Sequence, residues 1–248
     1  MRSFASDNNS GVHPLVMEAL NRANIDHSLG YGDDKWTEEA VAKIKETFTP
    51  NCVPLFVFNG TGSNVVALQL MTRPYHSIFC AETAHIYVDE CGSPVKMTGC
   101  QIRPIATPDG KLTPELMQPY LHGFGDQHHS QPRALYISQC TELGTIYTPE
   151  ELKRLTDFAH LNGMYVHMDG ARIANACAAL NLSLKELTVD CGVDILSFGG
   201  TKNGLLFGEA MVIVNPALQA NFRYMIKHNG GMMAKGRLCG VMFLAAME

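Results

Sequence analysis

Apolar positions in this chain fall into short runs. Six of them, at 55–58, 77–80, 134–138, 164–168, 194–197 and 210–214, have few polar interruptions. Runs of this length without strict alternation read as strands buried on both faces. Between them the spacing becomes helical. Residues 65–71 follow a Gly/Ser/Asn start with helical periodicity. The clearest helix starts at Thr148-Pro149-Glu150-Glu151. Thr148 can cap it, Pro149 suits its first turn, and Glu151 completes a capping box. Leu152, Leu155 and Ala159 then form an apolar stripe, and Gly163 is a natural stop. Strands alternating with helices predict an α/β fold with a mostly parallel central sheet and helices on both faces. Such a sheet gathers ligands at the carboxyl ends of its strands. Residues 122–132 read as a polar loop. Residues 240–248 read as a helix with no stop signal, so the polypeptide is expected to continue beyond them.

Composition narrows the class. The chain has 248 residues, 46% of them hydrophobic and 17% charged, which fits a folded globular protein. The net charge of −5 and the absence of a Lys/Arg-rich run give no reason to expect nucleic acid or an anionic membrane as partner. No apolar stretch is long enough to span a bilayer, and the amino terminus lacks the apolar core of a signal peptide. The eight cysteines are scattered without a C-x-x-C pair. They read as reduced thiols of a cytoplasmic protein, and their spacing offers no support for a metal site.

Four segments carry candidate chemistry. An apolar run ends at Asp169, followed by Gly170-Ala171-Arg172. This carboxylate at a strand end is either a helix cap or a partner for a cationic ring nitrogen. Lys202 follows 33 residues later, in Gly199-Gly200-Thr201-Lys202-Asn203-Gly204 after another apolar run. A lone lysine reads as surface. One in a glycine-rich turn at a strand end can also serve as a Schiff-base amine. Asn59-Gly60-Thr61-Gly62-Ser63 lies between a strand and a helix, where backbone N–H groups bind phosphate. It lacks both the third glycine of a dinucleotide fingerprint and the lysine of a P-loop. His85 follows the run at 77–80. It is either structural or placed to stack on a planar cofactor and move protons.

In this order these segments resemble the low-specificity L-threonine aldolases, fold-type-I enzymes dependent on pyridoxal 5′-phosphate (PLP) within the β-eliminating lyase group. Ser6-Asp7, Tyr31-Gly32-Asp33-Asp34, the Gly60 turn, Ala84-His85 with Glu90, Asp169-Gly170-Ala171-Arg172, Lys202 and Gly230-Gly231-Met232 carry the likeness. The resemblance implies a fold-type-I large domain over 31–248 and an amino-terminal active-site arm over 1–30. It implies that Lys202 forms the Schiff base, that Asp169 pairs with the pyridine nitrogen, and that Gly60, Thr61 and Gly62 hold the phosphate. His85 would stack on the ring and assist proton transfer at the β-hydroxyl. His129 matches a second active-site histidine, with His128 its neighbour. Ser6 and Arg172 would bind the substrate carboxylate. Lys227 or Lys235 would reach the phosphate of a neighbouring subunit in a homodimer or homotetramer with shared sites. The implied reaction is cleavage of threonine, allo-threonine or related β-hydroxy-α-amino acids to glycine and an aldehyde.

Three departures stand out. Phe198-Gly199-Gly200-Thr201 replaces a Ser/Cys-rich strand. Ser138-Gln139-Cys140-Thr141-Glu142 replaces an Glu-Asn-Thr-His pattern. The family's small carboxyl-terminal domain lies outside this sequence. The alternatives are β-elimination or transamination on the same scaffold, a PLP-binding fragment without turnover, or a nucleotide-binding protein using the Gly60 turn alone.

Overall fold

The computed structural model describes residues 3–248. A 3-10 turn at Asp7–Asn9 precedes helices α1 (Pro14–Ala23) and α2 (Lys35–Thr47). Then come β1 (Val53–Val57), α3 (Gly60–Met71), β2 (His76–Ala81), α4 (His85–Val88), α5 (Ser93–Thr98) and β3 (Gln101–Ile105). The chain continues through α6 (Pro114–Met117), β4 (Gln131–Ser138), α7 (Pro149–Leu161), β5 (Tyr165–Gly170), α8 (Ile173–Leu180) and β6 (Ile195–Gly199). It ends with β7 (Glu209–Ile213), α9 (Phe222–His228) and α10 (Gly236–Ala246).

The seven strands form one sheet in the order β1-β7-β6-β5-β4-β2-β3. Neighbours from β6 to β3 pair in parallel, and β7 is antiparallel to both β1 and β6. Successive strand residues feed opposite faces, as the pleat requires. Phe79, Leu135, Ile137, Val166, Leu196 and Val212 join one core with α1, α2, α7, α8 and α10. Ile78, Cys80, Tyr136, Ile195, Met211 and Ile213 join the other with α3 and α9. Both faces are therefore covered, and the expected α/β architecture is present.

Helix α7 has the predicted capping box, with Thr148 and Glu151 each bonding the other's backbone N–H. The loop expected over 122–132 is shorter at its end, because Gln131 and Pro132 already pair with β2 as part of β4. Residues 240–246 belong to α10, which packs against α1 and α2. Strand β3 was not anticipated. It is a sheet edge with a polar, Pro-containing sequence, and only Ile105 of its five residues is buried. Among the described residues, no helix is long and apolar enough to cross a membrane.

Candidate active site

The carboxyl ends of the parallel strands converge on a cavity of about 290 Å³. Asn59, Gly60, Thr61 and Asn64 enter it after β1, and His85 after β2. Ser138, Cys140 and Glu142 come from the end of β4, and Asp169, Ala171 and Arg172 from the end of β5. Thr201 and Lys202 come from the turn after β6. Glu209 joins them because antiparallel β7 starts at this edge. The four predicted elements, Gly60 turn, His85, Asp169 and Lys202, thus meet in one place.

Asp169 is the most heavily engaged side chain. Its Oδ2 accepts from the Tyr136 hydroxyl at 2.7 Å and the Asn64 Nδ2 amide at 3.0 Å, and its Oδ1 from the Ala171 N–H at 2.9 Å. Burial opposes its charge, but these donors together hold the carboxyl below the usual Asp range. The helix-cap alternative fails, since α8 starts after Arg172 and receives no side-chain cap. Buried His167 has Ile195 O 3.1 Å from Nδ1 and Asn64 Oδ1 2.9 Å from Nε2, and as a neutral ring it donates to one of the two. Burial pushes this imidazole down to about 4.

His85 is half-buried, and its Nδ1 lies 2.8 Å from Glu90 Oε1. That hydrogen bond raises the imidazole above its usual value against the effect of burial. The backbone N–H of His85 donates to Glu142 Oε1, which also accepts from the Ser138 hydroxyl. Glu142 therefore fixes the start of α4. With Nδ1 engaged, Nε2 is the ring nitrogen left for chemistry.

Lys202 is half-buried, which removes the surface-lysine alternative. Its turn is held by Asn203, whose Nδ2 donates to Ala171 O and Gly199 O, both at 3.0 Å. The glycines before it answer to close packing. A Cβ on Gly199 would lie 2.3 Å from Ala171 O, and one on Gly200 2.4 Å from Gly208 O. That is the physical reason why Phe198-Gly199-Gly200 precedes this lysine.

The Gly60 turn opens α3. Asn59 caps it, accepting from the Gly62 N–H at 2.8 Å. The Gly62 N–H is thus engaged by the cap, and Gly62, unlike Gly60 and Thr61, does not line the cavity. Among the described residues the N–H groups of Gly60 and Thr61 have no hydrogen-bond partner, and both residues line the cavity. Unpartnered N–H groups at a helix N-terminus suit an anion.

Arg172 lines the cavity and bonds Asp7 in bidentate fashion, Nε to Oδ2 at 2.6 Å and Nη2 to Oδ1 at 3.1 Å. The arm therefore reaches the site through Asp7 and Asn8. Ser6 lies outside the cavity and caps the Asp7–Asn9 turn, bonding the Asn8 N–H. His129 lies farther from this cavity. It precedes β4, whose carboxyl end feeds the cavity, so it sits at the opposite edge of the sheet, roughly 25 Å of strand away. There it faces Asp126 and His122. Lys227 lies over the Tyr31 ring and Lys235 precedes α10; neither lines the cavity. In the Tyr31–Asp34 motif, Asp34 caps α2 through Thr37.

The family model described as beta-eliminating lyase matches residues 3–248. The chain belongs to that family. Among its relatives is the low specificity L-threonine aldolase of a Pseudomonas species, 40% identical over all of this chain and 72% of the relative. The enzyme of the same name from Pseudomonas aeruginosa matches with the same identity and coverage. A solved structure of Leishmania major threonine aldolase superposes with a TM-score of 0.94 at 34% identity, covering all of this chain and 72% of that one. The superposition covers the whole of the sheet described above. Sequence reasoning missed Tyr136, Glu142, His167 and Glu209, and gave Asn64 no part. Tyr136 and His167 sit inside apolar runs that read as core.

Proposed function

We propose that this chain is the cofactor-binding body of a PLP-dependent aldehyde-lyase. It cleaves L-threonine, L-allo-threonine or related β-hydroxy-α-amino acids to glycine and an aldehyde. The observation that carries this reading is the opposition, across one cavity, of a lysine amine, a buried ionised Asp and two free N–H groups at a helix start. The residues present fit PLP. Lys202 Nζ would hold its aldehyde carbon, Asp169 its ring nitrogen, His85 a ring face, and Gly60 and Thr61 its phosphate. When bound, PLP supplies an electron sink for the pair released from a breaking Cα–Cβ bond.

The remaining work falls to the chain. Arg172, oriented by Asp7, binds the substrate carboxylate with its free guanidinium edge. His85 Nε2 takes the β-hydroxyl proton, while Glu90 steadies the imidazolium that forms. Loss of that proton lets the β-carbon leave as an aldehyde, and protonation at Cα completes glycine. The protein works as a homodimer or homotetramer, in which Lys227 or Lys235, both outside this chain's own cavity, reaches the phosphate of a neighbouring subunit. The eight free thiols support a reducing, cytoplasmic setting.

The test is direct. Protein loaded with PLP should absorb visible light, borohydride should fix the label on Lys202, and threonine or allo-threonine should yield glycine and acetaldehyde in equal amounts. A label on another peptide overturns the site. Ammonia with a keto acid would instead mark an eliminating lyase.

A further inference from the structure

Glu209 has no part in the chemistry above, yet it occupies the centre of the cofactor's binding edge. As the first residue of β7 it pairs with Val57 on one side and Gly199 on the other. Val57 leads into the Gly60 turn, and Gly199 into the lysine turn. The carboxyl therefore stands between the two segments that would grip the phosphate end of PLP. It is 6% exposed, lines the cavity with Thr61 and Thr201, and accepts the Gly200 N–H at 2.7 Å through Oε2.

A carboxylate has the wrong sign for a phosphate pocket, and burial beside a second anion is costly. A carboxylic acid has an O–H to donate. We propose that Glu209 meets the cofactor phosphate as the neutral acid, so that loading takes up a proton at this side chain. The inference rests on the PLP reading above.

The surroundings agree. Burial pushes the Glu209 carboxyl up to about 7; the Gly200 N–H, the Thr201 hydroxyl and Lys202 work against this rise, and Asp169 works with it. His85, Glu142 and Arg172 line the same cavity, and the Cys239 thiol of α10 is near enough to feel the Glu209 charge, though burial is the larger cause of its rise. The segment from Val57 to Asn64 presents no titratable group. A phosphate dianion at the Gly60 turn would raise Glu209 further, keeping it protonated in the complex. Ionisation of free Glu209 then competes with binding, and affinity falls by up to about tenfold per pH unit above 7.

The probe is pyridoxine 5′-phosphate, which keeps ring and phosphate but has no aldehyde to engage Lys202. It is titrated into the cofactor-stripped chain by calorimetry at pH 7, 8 and 9, in two buffers of different ionisation heat. The wild type should weaken along this slope and take up close to one proton at pH 8. E209Q should bind with a flat profile and take up less, and pyridoxine without its phosphate should show no slope in either protein. Equal slopes and proton counts in wild type and E209Q overturn the proposal alone. So does a wild type that takes up no proton, a result that stands even if E209Q fails to fold. A wild type that binds no B6 phosphate at any pH overturns the cofactor reading together with the proposal.

Discussion

The side-chain amide of Asn64 donates to the Asp169 carboxylate at 3.0 Å, and the same nitrogen lies 2.8 Å from Glu90. One amide thus links the carboxylate set for the ring nitrogen to the carboxylate that holds His85. Replacing it with an apolar residue leaves two buried carboxylates short of a donor. Asn64→Leu should cost about 1–3 kcal/mol in urea unfolding and weaken PLP retention in equilibrium dialysis. Unchanged retention would show that Asp169 does not need this partner.

Glu90 sets the basicity of His85. The base form of His85 is neutral, so activity should rise with pH through its titration, above the usual histidine range. Glu90→Gln removes the largest raising influence, and the acid limb of kcat against pH should move to lower pH. His85→Asn should lower kcat by about 10²–10⁴-fold. An acid limb that stays fixed in Glu90→Gln assigns that limb to another group.

The Asp7–Arg172 pair predicts a split between binding and turnover. Asp7→Ala leaves the guanidinium without its orienting partner, and Arg172→Lys loses the planar fork. Each should raise KM for the amino acid about tenfold, or about 1.4 kcal/mol, with a smaller effect on kcat. Steady-state kinetics with threonine measures both. A change confined to kcat would move Arg172 out of carboxylate binding.

Away from the site, His160 Nε2 lies 2.9 Å from Asp194, which also accepts from Val166 N–H and Asn215. The hydrogen bond to Asp194 raises His160 above its usual value. A raised folded-state value stabilises the protein fully below the unfolded value near 6.5, and the gain is lost as pH rises through the folded value. The Tm difference between wild type and His160→Gln should therefore be largest near pH 6 and shrink toward pH 9. A difference that grows with pH would reverse the sign.

The sequence made much of this visible because burial on two faces leaves dense apolar runs. Strands β1, β2, β4, β5, β6 and β7 were all announced that way. The mostly parallel arrangement followed from the alternation with helices, but the antiparallel run of β7 did not. The reversal of β7 depends on its pairing with β1 and β6, far away along the chain, so Glu209 gave no signal beyond an acid before an apolar run. Asn64, Tyr136 and His167 were hidden for a related reason, since each acts through a partner 33 to 105 residues distant. His129 misled because resemblance supplies order along the chain, and order does not say at which end of a strand a residue lies. Lys202, Asp169 and His85 were legible because each lies at the carboxyl end of its own strand or just beyond it.

The position of β1 has a consequence for how the protein comes into being on the ribosome. Among the described residues its only partner in the sheet is β7, so Val57 is seated by a strand synthesised about 150 residues later. Residues 60 and 61 emerge early but have no fixed floor until residue 213 has been made. A nascent chain should therefore ignore PLP until translation is nearly through this body, and arrested chains of increasing length would show capture beginning abruptly after β7.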